Sequence, residues 1–348
     1  MPKVLVVATS RKTRGGITSV IKAYETGYVW KKYHCHWIQT HRDGPTWRKF
    51  IYLTIAWFDY IIRLPFYDIV HVHFSLRTSA WRKRPFVGLA KLLQKKVIVH
   101  LHCGTQIDEI WNDNYHYMFD AADVSLFLSN CLREKVMMHF YRQKDFRVCY
   151  NPCPEINESF AANKQNIILF SGTICSTKGY ADLVKAFSRI APKYPSWKVI
   201  FIGNGEIEKG KELAKSLQVE SQVEFLGWVS GERKDEIFRK TTVFCLPSYA
   251  EGFPMAVLDA WAYGLPVITT PVGGIPDVAV DGENMLLFNP GDVDTLARQL
   301  ERIITDENLG NHISEASHHF ATHEFNIDTI NKQLDALYSE LLNKKTSF

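Results

Sequence analysis

Two carboxylates, Glu251 and Asp259, flank a Gly252-Phe253-Pro254 turn in SYAEGFPMAVLDAWAYGLPVITT, residues 248–270. The run FCLP before the first acid is strand-like, and MAVLDAWAYG after the turn has helical spacing stopped by Gly264. Glu251 therefore lies just beyond the carboxyl end of a strand, and Asp259 one or two turns into a helix. The amides of Gly252 and Phe253, with Pro254 after them, stand at the helix mouth, where N–H groups lack intrahelical acceptors and suit a negative or hydroxyl-rich ligand. A carboxylate within the helix can accept paired bonds from vicinal hydroxyls. An acid at a helix start is also stabilised by the helix dipole alone, and for Glu251 the spacing leaves that reading open. Asp259 sits among Leu258, Ala260 and Trp261, so its charge calls for a partner.

Cationic and amide groups that could meet a phosphate occur elsewhere. In FSGTICSTKGYADL a strand ends at Gly172, Thr173 begins a loop, and Lys178-Gly179 opens a helix. Helix N-termini disfavour cations, so a lysine there points to a bound anion such as a diphosphate. Gly15-Gly16 follow the run KVLVVAT and open another helix; glycines there let the backbone approach a phosphate, or merely make a flexible loop. Neither stretch is a G-x-G-x-x-G fingerprint or a Walker loop. His71, His73, His100 and His102 fall at or near the ends of two strands, with no acid cluster at metal-ligand spacing beside them. One or two of them are expected in the core, and His102, before Cys103-Gly104, at a strand end facing a cleft.

The elements that must position these groups alternate. KVLVVAT, YDIVHVHF, KKVIVHLHCG, DVSLFLS and FRVCYNP are strand-like, with helical stretches between them. The Pro- and Asn-rich stretch at 151–165 reads as a linker. NIILFSG, WKVIFIG, SQVEFLGWV, TTVFCLPS and LPVITT then form a second series, separated by helical YADLVKAFSRIAPKY, EKGKELAKSLQV and GERKDEIFRK. Two doubly wound α/β domains are expected, residues 1–155 and 156–325, with ligands beyond the carboxyl ends of the strands. A last helix, 326–348, carries the stripe Ile327, Ile330, Leu334, Leu337, Leu341 and either caps the second domain or packs back toward the first.

Composition fits this reading. The 348 residues are 46% hydrophobic and 22% charged, enough apolar material for two cores. The seven cysteines are scattered, as expected of reduced thiols. The apolar run Val4 to Ala8 is too short for a leader peptide, and no run approaches the roughly 20 apolar residues of a membrane span. The net charge of +4 is uneven: the first 100 residues hold 18 Lys and Arg against 4 Asp and Glu, a net +14. A basic half can meet nucleic acid, an anionic membrane or a phosphorylated ligand. TWRKFIYLTIAWFDYIIR and WRKRPF interleave aromatic and basic residues, which suits an anionic membrane surface, or an ordinary packed helix with a solvated rim. No RNA or DNA motif accompanies them, so nucleic acid is not expected as a partner.

The stretch from Ser248 through PVGGIPDVAVDGENMLLFNPGD, with FSGTICSTKG and the Gly15-Gly16 loop, resembles the retaining GT-B glycosyltransferases, and more narrowly glycosyltransferase family 4, the group 1 glycosyltransferases. The resemblance implies two Rossmann-like domains facing across a cleft, the first binding an acceptor and the second a nucleotide-sugar donor. It implies that Glu251 and His102 act at the reacting sugar, helped by Gly252, Phe253 and Pro254. By it, Asp259 holds the ribose, and Lys178, Thr173, Gly15 and Gly16 hold the diphosphate. Two positions depart from the family pattern: Asp259 replaces a usual Glu, and Thr173 a usual Arg, for which Arg11 or Arg14 would substitute. The implied reaction is transfer of a hexosyl group, with retained configuration and no metal or other cofactor, from a UDP- or GDP-sugar to a saccharide or lipid-linked acceptor. It would belong to cell-surface polysaccharide or glycoconjugate synthesis, in the cytoplasm or on the inner membrane face. A nucleotide-sugar epimerase and a non-catalytic nucleotide-sugar-binding protein are the competing expectations.

Overall fold

Among the described residues, short runs of branched and aromatic residues form twelve parallel strands in two sheets. The computed structural model describes residues 1–75, 77–104, 107–155 and 164–343. These divide into one unit of Met1–Pro152 with the helix Ile327–Asn343, and a second of Cys153–Asn326. Residues 156–163 of the expected linker lie outside the described residues.

The first unit holds β1 (Val4–Ala8), β2 (His36–Gln39), β3 (Ile69–Phe74), β4 (Lys96–Leu101), β5 (Val124–Phe127) and β6 (Phe146–Val148), in the order β2-β1-β3-β4-β5-β6. β1 and β3 are buried along their whole length, as strands covered by helices on both faces must be. Val70, Val72, Phe74, Val97, Val99 and Leu101 share one apolar cluster with Tyr60 and Phe86 of the covering helices. Trp57 stacks on Phe86 with centroids 4.3 Å apart, and the Tyr60 hydroxyl donates to the Phe86 carbonyl at 2.7 Å. Strand alternation sends His71, His73 and His100 to the opposite face.

The helix Ile327–Asn343 belongs to this unit. It packs on the short helix Tyr28–Lys32, and its apolar stripe is buried there. Asp335 receives bonds from Tyr33 Oη at 2.6 Å and Lys32 Nζ at 2.6 Å. Glu340 receives a two-pronged bond from Arg147 at 2.7 and 2.8 Å.

The second unit holds β7 (Ile167–Ser171), β8 (Lys198–Ile202), β9 (Val223–Phe225), β10 (Val243–Leu246), β11 (Val267–Thr269) and β12 (Leu286–Leu287), in the order β12-β11-β10-β7-β8-β9. The chain moves one way from β7 and the other way from β10, so these adjacent strands mark the point where the winding reverses. All seven cysteines are free. Among the described residues no helix is long and apolar enough to cross a membrane.

Candidate active site

In a doubly wound sheet the crevice opens beyond the carboxyl ends of the two strands at the reversal. Here those ends carry the loop 172–179 after β7 and the loop 247–254 after β10. Backbone approach ties the surrounding loops together. A Cβ on Gly203, after β8, would lie 1.8 Å from the Gly172 carbonyl oxygen, and both glycines have left-handed φ. Gly179, at φ 69°, ends the turn Ser176–Lys178 and starts the helix Tyr180–Ile190; a Cβ there would lie 1.9 Å from the Pro247 carbonyl. The Tyr249 amide donates to the Thr177 carbonyl at 2.8 Å. The two loops are therefore latched main chain to main chain, and Lys178 comes over Glu251.

Lys178 Nζ donates to Glu251 Oε1 at 2.5 Å, and Ser248 Oγ donates to the same oxygen at 2.6 Å. Glu251 is only 8% exposed, while the Lys178 side chain keeps 28% of its surface open. Both bonds fall on Oε1, which leaves Oε2 to accept from another group. The loop after β11 braces the turn from behind: the Gly274 amide donates to the Gly252 carbonyl at 2.7 Å. Phe253 turns its ring into the unit against Trp261 and Phe325, so its side chain belongs to the core. Pro254 precedes the helix Met255–Ala262, whose first amides lack intrahelical acceptors.

Asp259 has the partner its surroundings call for, on another element. Lys234, from the helix Glu232–Lys240, donates to Asp259 Oδ2 at 2.7 Å. Burial raises the Asp259 carboxyl above its ordinary range, and the Lys234 charge and hydrogen bond pull it partly back. Thr173 is exposed on the loop after β7. The fold thus joins Lys178, Ser248 and Glu251 directly and pairs Asp259 with Lys234. Ser248 and Lys234 escaped the sequence reading. The Ser-x-x-Glu spacing was the only signal for Ser248, and nothing local marks Lys234.

In the first unit, Gly15 is the residue before the helix Gly16–Thr26, at φ 145°. No atom lies within 4 Å of a Cβ built there, so its backbone angle, not crowding, requires glycine. Arg11 forms an ion pair with Glu25 and lies over the Trp37 ring at 4.7 Å. His71, His73 and His100 are all fully buried, more core histidines than the sequence suggested. His102, one residue past β4, is partly exposed, and its Nε2 lies 2.9 Å from His73 Nδ1.

Residues 154–320 match the family described as Glycosyl transferases group 1. The chain is similar to the N-acetyl-alpha-D-glucosaminyl L-malate synthase of Bacillus anthracis, 26% identical over 294 residues that cover 79% of this chain and 75% of that protein. It is similar to the lipopolysaccharide 1,6-galactosyltransferase of Salmonella typhimurium, 29% identical over 53% of this chain and 54% of that one. Among solved structures, Anabaena HepE in complex with UDP superimposes with a TM-score of 0.78 at 17% identity, over 97% of this chain and 100% of that one. The same protein in complex with UDP-glucose superimposes at 0.77 and 18% identity, over 97% of this chain and 99% of that one. At such identity the likeness speaks to fold, which is GT-B.

Proposed function

We propose that this chain, whose residues 154–320 match the group 1 glycosyltransferases, transfers a sugar from a nucleoside-diphosphate donor held by the second unit. The observation that carries this reading is the Lys178–Glu251–Ser248 contact at the sheet reversal. Glu251 Oε1 is engaged by its neighbours, so Oε2 and the Gly252 and Phe253 amides take the sugar hydroxyls. Lys178 swings from the carboxylate to the departing diphosphate, and Thr173 lies at the start of its loop. Asp259, neutralised by Lys234, takes the ribose hydroxyls through Oδ1. Positive charge from lysine and helix-start amides does the work that a metal would otherwise do. His102 and the Gly15-Gly16 main chain are assigned to the same donor on the family resemblance. Front-face transfer with retained configuration, the donor phosphate accepting the acceptor's proton, is the course that the family resemblance implies and that we propose here.

UDP is the nucleotide we favour, because solved neighbours of the fold were obtained with UDP and UDP-glucose. Saccharides of the cell surface are the favoured acceptors, since a similar protein is a lipopolysaccharide galactosyltransferase. A thermal-shift screen against UDP-, GDP- and ADP-sugars tests the donor. A uridine series raising Tm by several degrees is expected, followed by transfer giving a product of unchanged anomeric configuration. Interconversion of the donor sugar without an acceptor would indicate an epimerase, and binding without turnover a carrier.

The same reading places the acceptor at an anionic membrane surface. Its support is the helix Thr46–Arg63. One side buries Ala56 and Tyr60, and the other exposes Trp47, Phe50, Ile51, Ile55, Phe58 and Ile62 at helical spacing, with Phe66 just beyond. Phe50 is 71% exposed and Ile62 67%, where a helix packed only on its own domain presents polar groups. Arg48, Lys49 and Arg63 flank the stripe, and Asp59, its one acid, is already bonded to Arg63 and His36. An apolar face rimmed by cations suits the boundary of an anionic bilayer. Sedimentation with anionic vesicles is expected, weakened by salt and reduced at least tenfold in a Phe50→Ser, Phe58→Ser, Ile62→Ser variant. Equal binding of that variant would remove the helix from the contact.

A further inference from the structure

The first unit contains a ladder of imidazoles of which the proposed transfer uses only His102. His71 and His73 stack with centroids 4.3 Å apart, and His100 lies 5.0 Å from His73. His102 continues the ladder, 4.2 Å from His100 and 5.1 Å from His73. Four nitrogens of the buried trio have no hydrogen-bond partner: His71 Nε2, His73 Nε2 and both nitrogens of His100. Orphaned buried polar atoms are uncommon and need a reason.

A metal ion is the first reason to weigh. One nitrogen of each buried ring lies within 4.8 Å of the others. The ring planes argue against it. His71 and His100 are within 9° of parallel, so their in-plane lone pairs run side by side, whereas an ion must lie in the plane of every ring that binds it. The group that could hold an ion contains histidines alone, with no carboxylate to balance a dication. Lys83, also fully buried, donates to the His73 carbonyl beside the ladder.

The hydrogen bonds that do exist point elsewhere. His71 Nδ1 meets Tyr338 Oη at 2.8 Å, and His73 Nδ1 meets His102 Nε2 at 2.9 Å. Burial holds these imidazoles well below their ordinary pKa, so each ring is neutral near pH 7 and carries a single N–H. In the His73–His102 pair one nitrogen donates and the other accepts. If His102 donated, His73 would have to carry its proton on Nε2, which has no acceptor in the core. A stranded buried donor is the costlier arrangement. The His73 proton therefore sits on Nδ1 and is given to His102 Nε2.

We infer that His73 is a positioning residue that locks His102 as its Nδ1–H tautomer, presenting a neutral hydrogen-bond donor, not a base, to the bound sugar. The functional half of this inference rests on the assignment of His102 to the donor. The lock itself rests on the ladder.

Long-range proton–nitrogen NMR of ring-labelled histidine in the full chain tests the tautomer, with His102 identified by the signals lost in His102→Gln. The expected result is a bare Nε2 and a protonated Nδ1 on His102. A protonated Nε2 in the wild type overturns the inference without any variant having to fold. For function, His73→Phe keeps a ring of similar shape but removes the bond, while His73→Asn keeps an amide near the Nδ1 position. His73→Phe should lower kcat at least tenfold at nearly constant donor KM, and His73→Asn should recover most of it. Equal kcat in wild type and a folded His73→Phe overturns the positioning role. Stoichiometric zinc in the purified wild type, lost in His73→Phe, overturns it in favour of a metal site. Full activity in His102→Gln would remove the assignment of His102 to the donor while leaving the NMR result standing.

Discussion

Glu251→Ala is expected to lower turnover by about a thousandfold or more, the scale of losing a preorganised polar group in a water-poor site. The variant loses Oε2, the proposed acceptor for sugar hydroxyls, and it also releases Ser248 and Lys178, which both hold Oε1. Lys178 is partly open to solvent, so the freed ammonium can be hydrated and the fold should survive with a modest loss, about 1–2 kcal/mol. Lys178, the proposed phosphate ligand, remains, so nucleotide affinity should fall far less than turnover. Initial rates with the donor identified by thermal shift, alongside Tm of the unliganded variant, check both parts. A turnover within threefold of wild type would take the carboxylate out of the chemistry.

The second large effect is on stability. His71, His73 and His100 are kept neutral by burial, far below their ordinary pKa of 6.5; for His100 the value falls to about 3. Below pH 6.5 the unfolded chain takes up protons on these rings and the native chain does not. Stability is thus level above about pH 7 and falls as the medium is acidified, by up to ~1.4 kcal/mol per pH unit for each ring. From pH 7.5 to 5.5 the three together remove about 4 kcal/mol from the first unit. Asp59, Asp120 and Asp335, in the same unit, are held below their ordinary 3.8 and act only at lower pH. Denaturant titrations at half-unit pH steps should show one acid-labile transition, with a shallower slope in His100→Phe. A transition independent of pH over this range would mean that the rings are hydrated or charged in the native state.

Much of the architecture could be read from the chain. The alternation of branched apolar runs with helical stretches marked both parallel sheets, and the resemblance carried by the stretch from Ser248 to FNPGD matched the family. Edge strands were harder: β2 is only His36–Gln39, and the expected strand at 221–229 shrinks to Val223–Phe225, because four residues or fewer carry little periodicity. At the site, Lys178 was visible because a cation at a helix start breaks a local preference, and Glu251 because of its spacing from the Gly-Phe-Pro turn and Asp259. Lys234 was not, because it sits in GERKDEIFRK, where charges read as a solvated face, and its pairing with Asp259 is tertiary. The ladder depends on register: only the pairing of His73 with His100 across β3 and β4 puts the rings on one face. The outward stripe of the helix Thr46–Arg63 was illegible for a different reason. That helix is apolar on two sides, and hydropathy does not say which side meets the core.

The placement of the helix Ile327–Asn343 has a consequence for biogenesis. The ribosome delivers the whole of Cys153–Asn326 before it delivers the segment that completes the earlier half. The later-encoded unit can therefore fold first, while the half synthesised before it waits. Until Tyr338 arrives, His71 lacks its hydrogen-bond partner, and the buried side of the helix Tyr28–Lys32 lies open. Chains truncated at Asn326 and released from the ribosome should accordingly carry a protease-resistant second unit behind a leading half that is still readily cut.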